Sequence, residues 1–111
     1  MTNQVPSTTN LTFFNAQTSN ASSAGQSFIF PMKRACLKFW GTWSGATITF
    51  QTITPLNPSY WVPILNLSGA VMAFTSDGQA TLENVVYGDM IRCTISGGGG
   101  SLSLSVTAQV I

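Results

Sequence analysis

An all-β fold, a two-sheet antiparallel β-sandwich with an extended N-terminal arm, is what this 111-residue sequence predicts, and three observations predict it. Apolar residues recur with period two from residue 26 onward, the spacing of strands that bury one face. Clusters of Gly, Pro, Asn and Ser interrupt the alternation every few residues, leaving room for short strands and no helical spacing. Hydrophobic residues make up 44% of the chain, with seven Phe, three Trp and two Tyr, enough for one core without a disulfide or metal staple. Roughly seven to nine short strands suit a jelly-roll or immunoglobulin-like sandwich, with a small closed barrel as the alternative.

The elements follow in order. Residues 1–26 are mostly Thr, Ser, Asn, Gln and Ala, with Val5, Leu11, Phe13 and Phe14 as the sizeable apolar side chains. Such a stretch cannot bury a core by itself, so it reads as a polar arm ahead of a sandwich domain over 27–111. Residues 1–9 are expected to fray. Phe13 and Phe14 are costly to leave in water, which predicts that 10–14 docks as an edge strand on its own sheet or on a neighbouring subunit. Strands are then expected over 27–31, 34–40, 46–51, 60–65, 70–75, 79–87, 89–96 and 101–110. In 34–40 the alternation places Ala35, Leu37 and Phe39 on one face and Cys36, Lys38 and Trp40 on the other. In 46–51 Ile48 and Phe50 point inward. The last strand is the clearest, with Leu102, Leu104, Val106, Ala108 and Val110 alternating against Ser, Thr and Gln.

Gly41 and Ser44-Gly45 are expected to turn the chain between the second and third of these strands. Asp77-Gly78 reads as a type I′ hairpin turn, because both residues accept positive φ. The prolines at 55 and 58 read as a crossing between sheets. Gly97 to Gly100 reads as a flexible connection between two strands, since no helix and no Gly-Lys-Ser/Thr follows to make a phosphate cradle.

The chemical kit is small. Charged residues make up 6% of the chain, the net charge is +1 and there is no histidine, whereas an ordinary soluble domain is about 25% charged. Without histidine there is no Ser-His-Asp or Cys-His arrangement and no His-based metal site. Asp77, Glu83 and Asp89 read as turn or surface residues rather than a paired acid and base. No enzyme activity, cofactor or metal is expected. Cys36 and Cys93 fall on separate strands with three Trp between them, but Ile91 stands where an immunoglobulin domain has its corner Tyr, so both read as buried free thiols. Lys33, Arg34 and Lys38 lie beside aromatics, yet four cations are too few for a nucleic-acid footprint. No run is long and apolar enough to span a bilayer. The first residues lack the basic and apolar regions of a secretory signal, which predicts synthesis in the cytosol.

A poorly charged coat gives little repulsion between copies, while a subunit packed among neighbours avoids desolvating charge at its contacts. The chain therefore reads as a building block, a homo-oligomer in contact with other proteins and with neither nucleic acid nor membrane. Interface candidates are Phe13 and Phe14 as arm anchors, Lys33 and Arg34 for an acidic partner or a guarded edge, and Trp43, Tyr60 and Trp61 on the sandwich surface.

Residues 40–51, Trp40-Gly-Thr-Trp43-Ser-Gly-Ala-Thr-Ile-Thr-Phe-Gln51, together with Gly88-Asp-Met-Ile-Arg92 and the Ser-rich closing strand, resemble small β-sandwich virion proteins of tailed bacteriophages. The resemblance covers roughly residues 33–111 and rests on glycines, tryptophans and alternation. It implies a capsid decoration or cement protein, or a related head or tail component, located in the virion, with a major capsid or other virion protein as partner and no catalytic residues. Two other classes stay open. A carbohydrate- or receptor-binding module of a head fibre or tail would use Trp43, Tyr60 and Trp61 as a stacking platform, and a small regulatory protein would bind a host factor.

Overall fold

The structure is a computed structural model that describes residues 9–27, 35–54, 57–82 and 90–110. Nine strands are present among them: β1 (Thr9–Gln17), β2 (Gln26–Ser27), β3 (Ala35–Thr42), β4 (Thr47–Thr54), β5 (Asn57–Pro63), β6 (Ala73–Phe74), β7 (Gly78–Thr81), β8 (Met90–Ser96) and β9 (Ser103–Val110). They form two antiparallel sheets, one ordered β1-β9-β3-β7 and the other β2-β8-β4-β5, with β6 pairing beside β4. With the two-residue β6 set aside, this is the pairing of a jelly roll, in which eight strands form two Greek keys. An immunoglobulin-like sandwich would instead join its first, second, fifth and fourth strands in one sheet. Among the described residues both sheets are open at their edges and pack as a sandwich rather than closing into a barrel.

The core lies between the sheets and follows from the period-two alternation. Leu37 and Phe39 of β3 and Leu104, Val106 and Ala108 of β9 face Ile48 and Phe50 of β4 and Ile91, Cys93 and Ile95 of β8. Aromatic rings run through it in one connected series. Phe13 meets Phe50 edge-on at 5.9 Å, Phe50 meets Phe74 at 6.2 Å, Phe74 stacks on Phe39 at 4.6 Å, and Phe39 meets Trp43 at 6.1 Å. Among the described residues no polar or charged side chain is buried in this core.

The arm residues 9–17 join the chain's own sheet. β1 pairs along β9 from Thr9↔Val110 to Gln17↔Leu104. Adjacent residues of a regular strand face opposite sides, yet Phe13 and Phe14 are both buried, 7% and 6% exposed. A register shift between Thr12 and Phe14 inserts one extra residue, and such a bulge turns neighbouring side chains to the same side. The segment after β1 then crosses to the other sheet, where Ser23 and Ala21 bond Cys93 and Ile95 of β8.

Two turns take roles opposite to those the sequence predicts. Asp77-Gly78 does not close a hairpin: β6 belongs to one sheet and β7 to the other, and neither residue has positive φ. The Asp77 carboxylate instead accepts hydrogen bonds from the end of β3 and from the Trp beyond it, which holds the chain across the sandwich. The strands on either side of the first proline do not lie in different sheets: β4 and β5 pair with each other from Gln51↔Pro63 to Thr54↔Asn57. Pro58 and Pro63 are tolerated there because β5 is an edge strand with one ladder side open. Ser44-Gly45 turns as expected, with φ of 49° and 83° and the Ala46 N–H donating to the Trp43 carbonyl. The four-glycine run is held rather than loose: Gly99 N–H donates to Ser44 O, while Gly98 exchanges two hydrogen bonds with the Asn20 amide.

Candidate functional site

The seven interface candidates do not come together. Lys33 and Arg34 lie outside the described residues. Phe13 and Phe14 belong to the chain's own core, because the β1 bulge turns both rings inward, so they are removed from any intermolecular surface. Trp43 sits just before β4, whereas Trp61 pairs with Ile53 near the end of that strand. At about 3.4 Å per residue the length of β4 separates them, and a common stacking platform does not form.

Trp43 is half-buried and engaged. Its ring meets Phe39 edge-on, and its Nε1–H donates to Asp77 Oδ1 at 2.7 Å, while Gly41 N–H donates to the same oxygen at 3.0 Å. Asp77 thereby ties the corner after β3 to the corner before β7. A carboxylate bonded to an indole and a backbone N–H serves the frame.

Trp61 is also held. The Arg92 guanidinium lies over its ring at 4.4 Å, and Arg92 Nε–H donates to Gln51 Oε1 at 2.7 Å, with Thr94 Oγ1–H donating to the same oxygen at 3.3 Å. The cross-strand register produces this group, because Gln51 stands opposite Arg92 and Thr49 opposite Thr94 on the outer face of β4 and β8. Among the described candidates Tyr60 lies at the surface, 60% exposed.

The outer faces of the sheets are hydroxyl and amide surfaces. On one, Lys38 and Trp40 of β3 stand among Ser103, Ser105, Thr107 and Gln109 of β9 and Gln79 and Thr81 of β7. On the other, Thr47, Thr49 and Gln51 face Ser96, Thr94 and Arg92. Lys38 and Asp77 bracket a sequence with no charged residue between them.

That uncharged stretch contains the feature the sequence reading missed, a hairpin over 64–72. Ile64 and Met72 anchor it in the core through bonds with Phe50 and with each other, and Leu65 bridges to Val71. At its tip the Asn66 side-chain oxygen accepts from Ser68 N–H at 2.9 Å and Ala70 N–H at 3.0 Å, and Gly69 N–H donates to Asn66 O. Gly69 has φ of +87°, as a tight reversal needs. The reversal holds Leu67 out at 77% exposure, flanked by exposed Leu65 and Val71. Asn66-Leu-Ser-Gly69 carried the signal, an Asx-turn followed by a glycine. Beside the hairpin is a cleft of about 270 Å³ lined by Asn66, Val71, Met72, Ala73, Phe74, Ala80 and Thr81.

Both cysteines are free thiols, Cys93 buried and Cys36 half-buried. Cys36 differs from the expectation of burial because its position in the alternation puts it on the outer face of β3. Burial pushes the Cys93 thiol up to about 12. Among the described residues no three His, Cys, Asp or Glu side chains gather as a metal site, and no helix is long and apolar enough to cross a membrane. Compared with family models, curated proteins and solved structures, the chain matches none.

Proposed function

We propose that this chain is a non-enzymatic structural subunit of a virion, of the capsid decoration or cement kind, which binds copies of itself and a shell protein. The observation that supports this most is the surface. Both outer sheet faces are built mainly from Ser, Thr and Gln, with Lys38 on one and Arg92 on the other, and apolar side chains are exposed at Trp40, Tyr60, Leu65, Leu67 and Val71. Hydroxyl and amide groups cost far less to desolvate than ions do, so such faces suit repeated protein contacts that gain strength through multivalency. The jelly roll is shared by viral capsid domains, lectins and cupins, which makes it compatible with the reading without carrying it.

The test is binding to particles. Purified chain added to virus shells that lack it should sediment with them, saturate at a fixed number of copies per particle and raise the temperature at which the shell opens. Failure to co-sediment with the shell would overturn the reading. The carbohydrate alternative is weakened by the placement of its residues: Trp43 bonds Asp77, and Arg92 covers Trp61. A saturable change in tryptophan fluorescence on titration with oligosaccharides would revive it.

A further inference from the structure

We infer that Arg92, on the outer face of β8, is an anchor for a carboxylate of the protein this chain binds, with the side-chain amide N–H of Gln51 as a second donor. This rests on the reading of the chain as an assembly subunit and names the chemistry of its partner at one point of contact. Gln51 Oε1 accepts from Arg92 Nε–H at 2.7 Å and from Thr94 Oγ1–H at 3.3 Å. The Thr94 hydroxyl has one proton, which goes to Gln51, so Ser22 is the donor in the 3.1 Å bond between Ser22 and Thr94. The protons thus run in one direction, from Ser22 to Thr94 to Gln51, and each bond polarises the next. The chain of bonds also settles the amide: its oxygen faces Arg92 with both acceptor positions filled, and its Nε2–H groups lie on the other side.

What remains at this spot donates. Among the described residues, no group accepts from the Arg92 Nη nitrogens or from Gln51 Nε2. A guanidinium has no acceptor of its own. Unmet N–H groups around one fixed positive charge select a ligand that brings oxygen acceptors and negative charge.

The cation is held ready for it. Its guanidinium lies over the Trp61 ring at 4.4 Å and its Nε is tied to Gln51, so little side-chain freedom is lost on binding. Arg92 is half-buried, and a cation drawn partly out of water without a counter-charge carries a desolvation cost that an incoming anion offsets. The described residues hold one carboxylate, Asp77, which bonds Gly41 and Trp43 at the corner before β4. Arg92 stands opposite Gln51, toward the other end of that strand.

The chemistry favours a carboxylate over a phosphate. The planar fork of an arginine matches the two oxygens of a carboxylate, whereas nucleic-acid phosphates are bound by several cations together. Lys38, the other cation among the described residues, lies on the opposite sheet. Thr47, Thr49, Thr94 and Ser96 surround the site on its own face, and none of them repels an acidic side chain.

The experiment is an NMR titration of the full chain with hexaglutamate, inorganic phosphate and hexalysine, followed at Arg92 Nε–H and the Gln51 amide, beside shell co-sedimentation of the same proteins. Hexaglutamate should shift both signals saturably and hexalysine should not. Arg92→Lys, which keeps the charge and loses the fork, should weaken hexaglutamate binding and shell binding by about tenfold. Gln51→Glu sets a carboxylate beside Arg92 from within the chain and should abolish the response, with a native circular dichroism spectrum in both variants. No saturable shift with hexaglutamate, or an equal response in Gln51→Glu, would overturn the anchor whatever the shells show. Phosphate that binds as tightly as hexaglutamate would overturn it in favour of a phosphate group. Tighter hexaglutamate binding by Glu83→Gln or Asp89→Asn would overturn it in favour of the chain's own carboxylate. Shells that take up wild type and both variants equally would overturn the anchor and leave the assembly reading standing. If shells take up none of them, the assembly reading falls and the titration still decides the anchor.

Discussion

Asp77 shows how a side chain at the surface can hold a frame together. It accepts from Gly41 N–H and Trp43 Nε1–H, and hydrogen bonds to a charged group contribute about 1.5–3 kcal/mol. Asp77→Ala should lower stability to urea by about that amount, and Asp77→Asn, which keeps one acceptor oxygen, should recover part of it. Gly41 is fixed by geometry: its φ is +136° and a Cβ there would lie 2.0 Å from the Ser103 carbonyl oxygen. Gly41→Ala should cost about 4 kcal/mol or more, whereas Gly100→Ala, with nothing within 4 Å, should stay within about 0.5 kcal/mol of wild type. The thiols differ in the same residue-by-residue way. Cys36 should react with a thiol reagent in the native protein and Cys93 only after unfolding. The folded Cys93 holds its proton up to about 12, against a usual value of 9.0. The unfolded chain thus releases that proton first, and stability should be full below pH 9 and fall as pH rises toward 12, by about 1.4 kcal/mol per unit. Cys93→Val should flatten that decline in a urea titration at alkaline pH.

At the scale of elements, the period-two stretches were legible because alternation alone decides which side chains enter a two-sheet core. Ala35, Leu37 and Phe39, Ile48 and Phe50, and Leu102 to Ala108 all lie on the faces predicted for them. The connections were less legible, for a physical reason. Turn chemistry at Asp77-Gly78 or among the prolines describes a local reversal, while the sheet that receives the next strand depends on bonds such as Trp43 to Asp77, between residues far apart in the chain. The adjacent aromatics posed a similar difficulty, since a bulge that turns Phe13 and Phe14 inward together leaves no mark on composition. The candidate surface was legible at Tyr60 and missed at Leu67, because an apolar residue two positions beyond a predicted strand reads as its continuation until a reversal at Asn66 lifts it outward. β1 is therefore part of the sandwich rather than a removable arm. Deleting residues 1–17 should abolish cooperative unfolding, and Phe13→Ala or Phe14→Ala should each cost about 3–5 kcal/mol, read by thermal melts.

For the whole molecule, a sparsely charged coat sets the response of any assembly to salt. Raising salt from about 0.1 M to 1 M shortens the screening length from about 10 Å to 3 Å. Any self-association should persist or tighten over that range, and dissociation at high salt in a light-scattering titration would point to contacts made by charge. The pairing of the first and last described strands has a consequence of another kind. Thr9 lies opposite Val110, and β1 runs antiparallel to β9, so the backbone enters and leaves this sheet at one corner. Tension applied at those two points loads the ladder bonds one after another instead of sharing the force among them. The sandwich should open like a zipper, first baring Phe13 and Phe14, at far lower force than a sheet pulled along its strands. A sandwich built this way yields most easily when drawn at Thr9 and Val110.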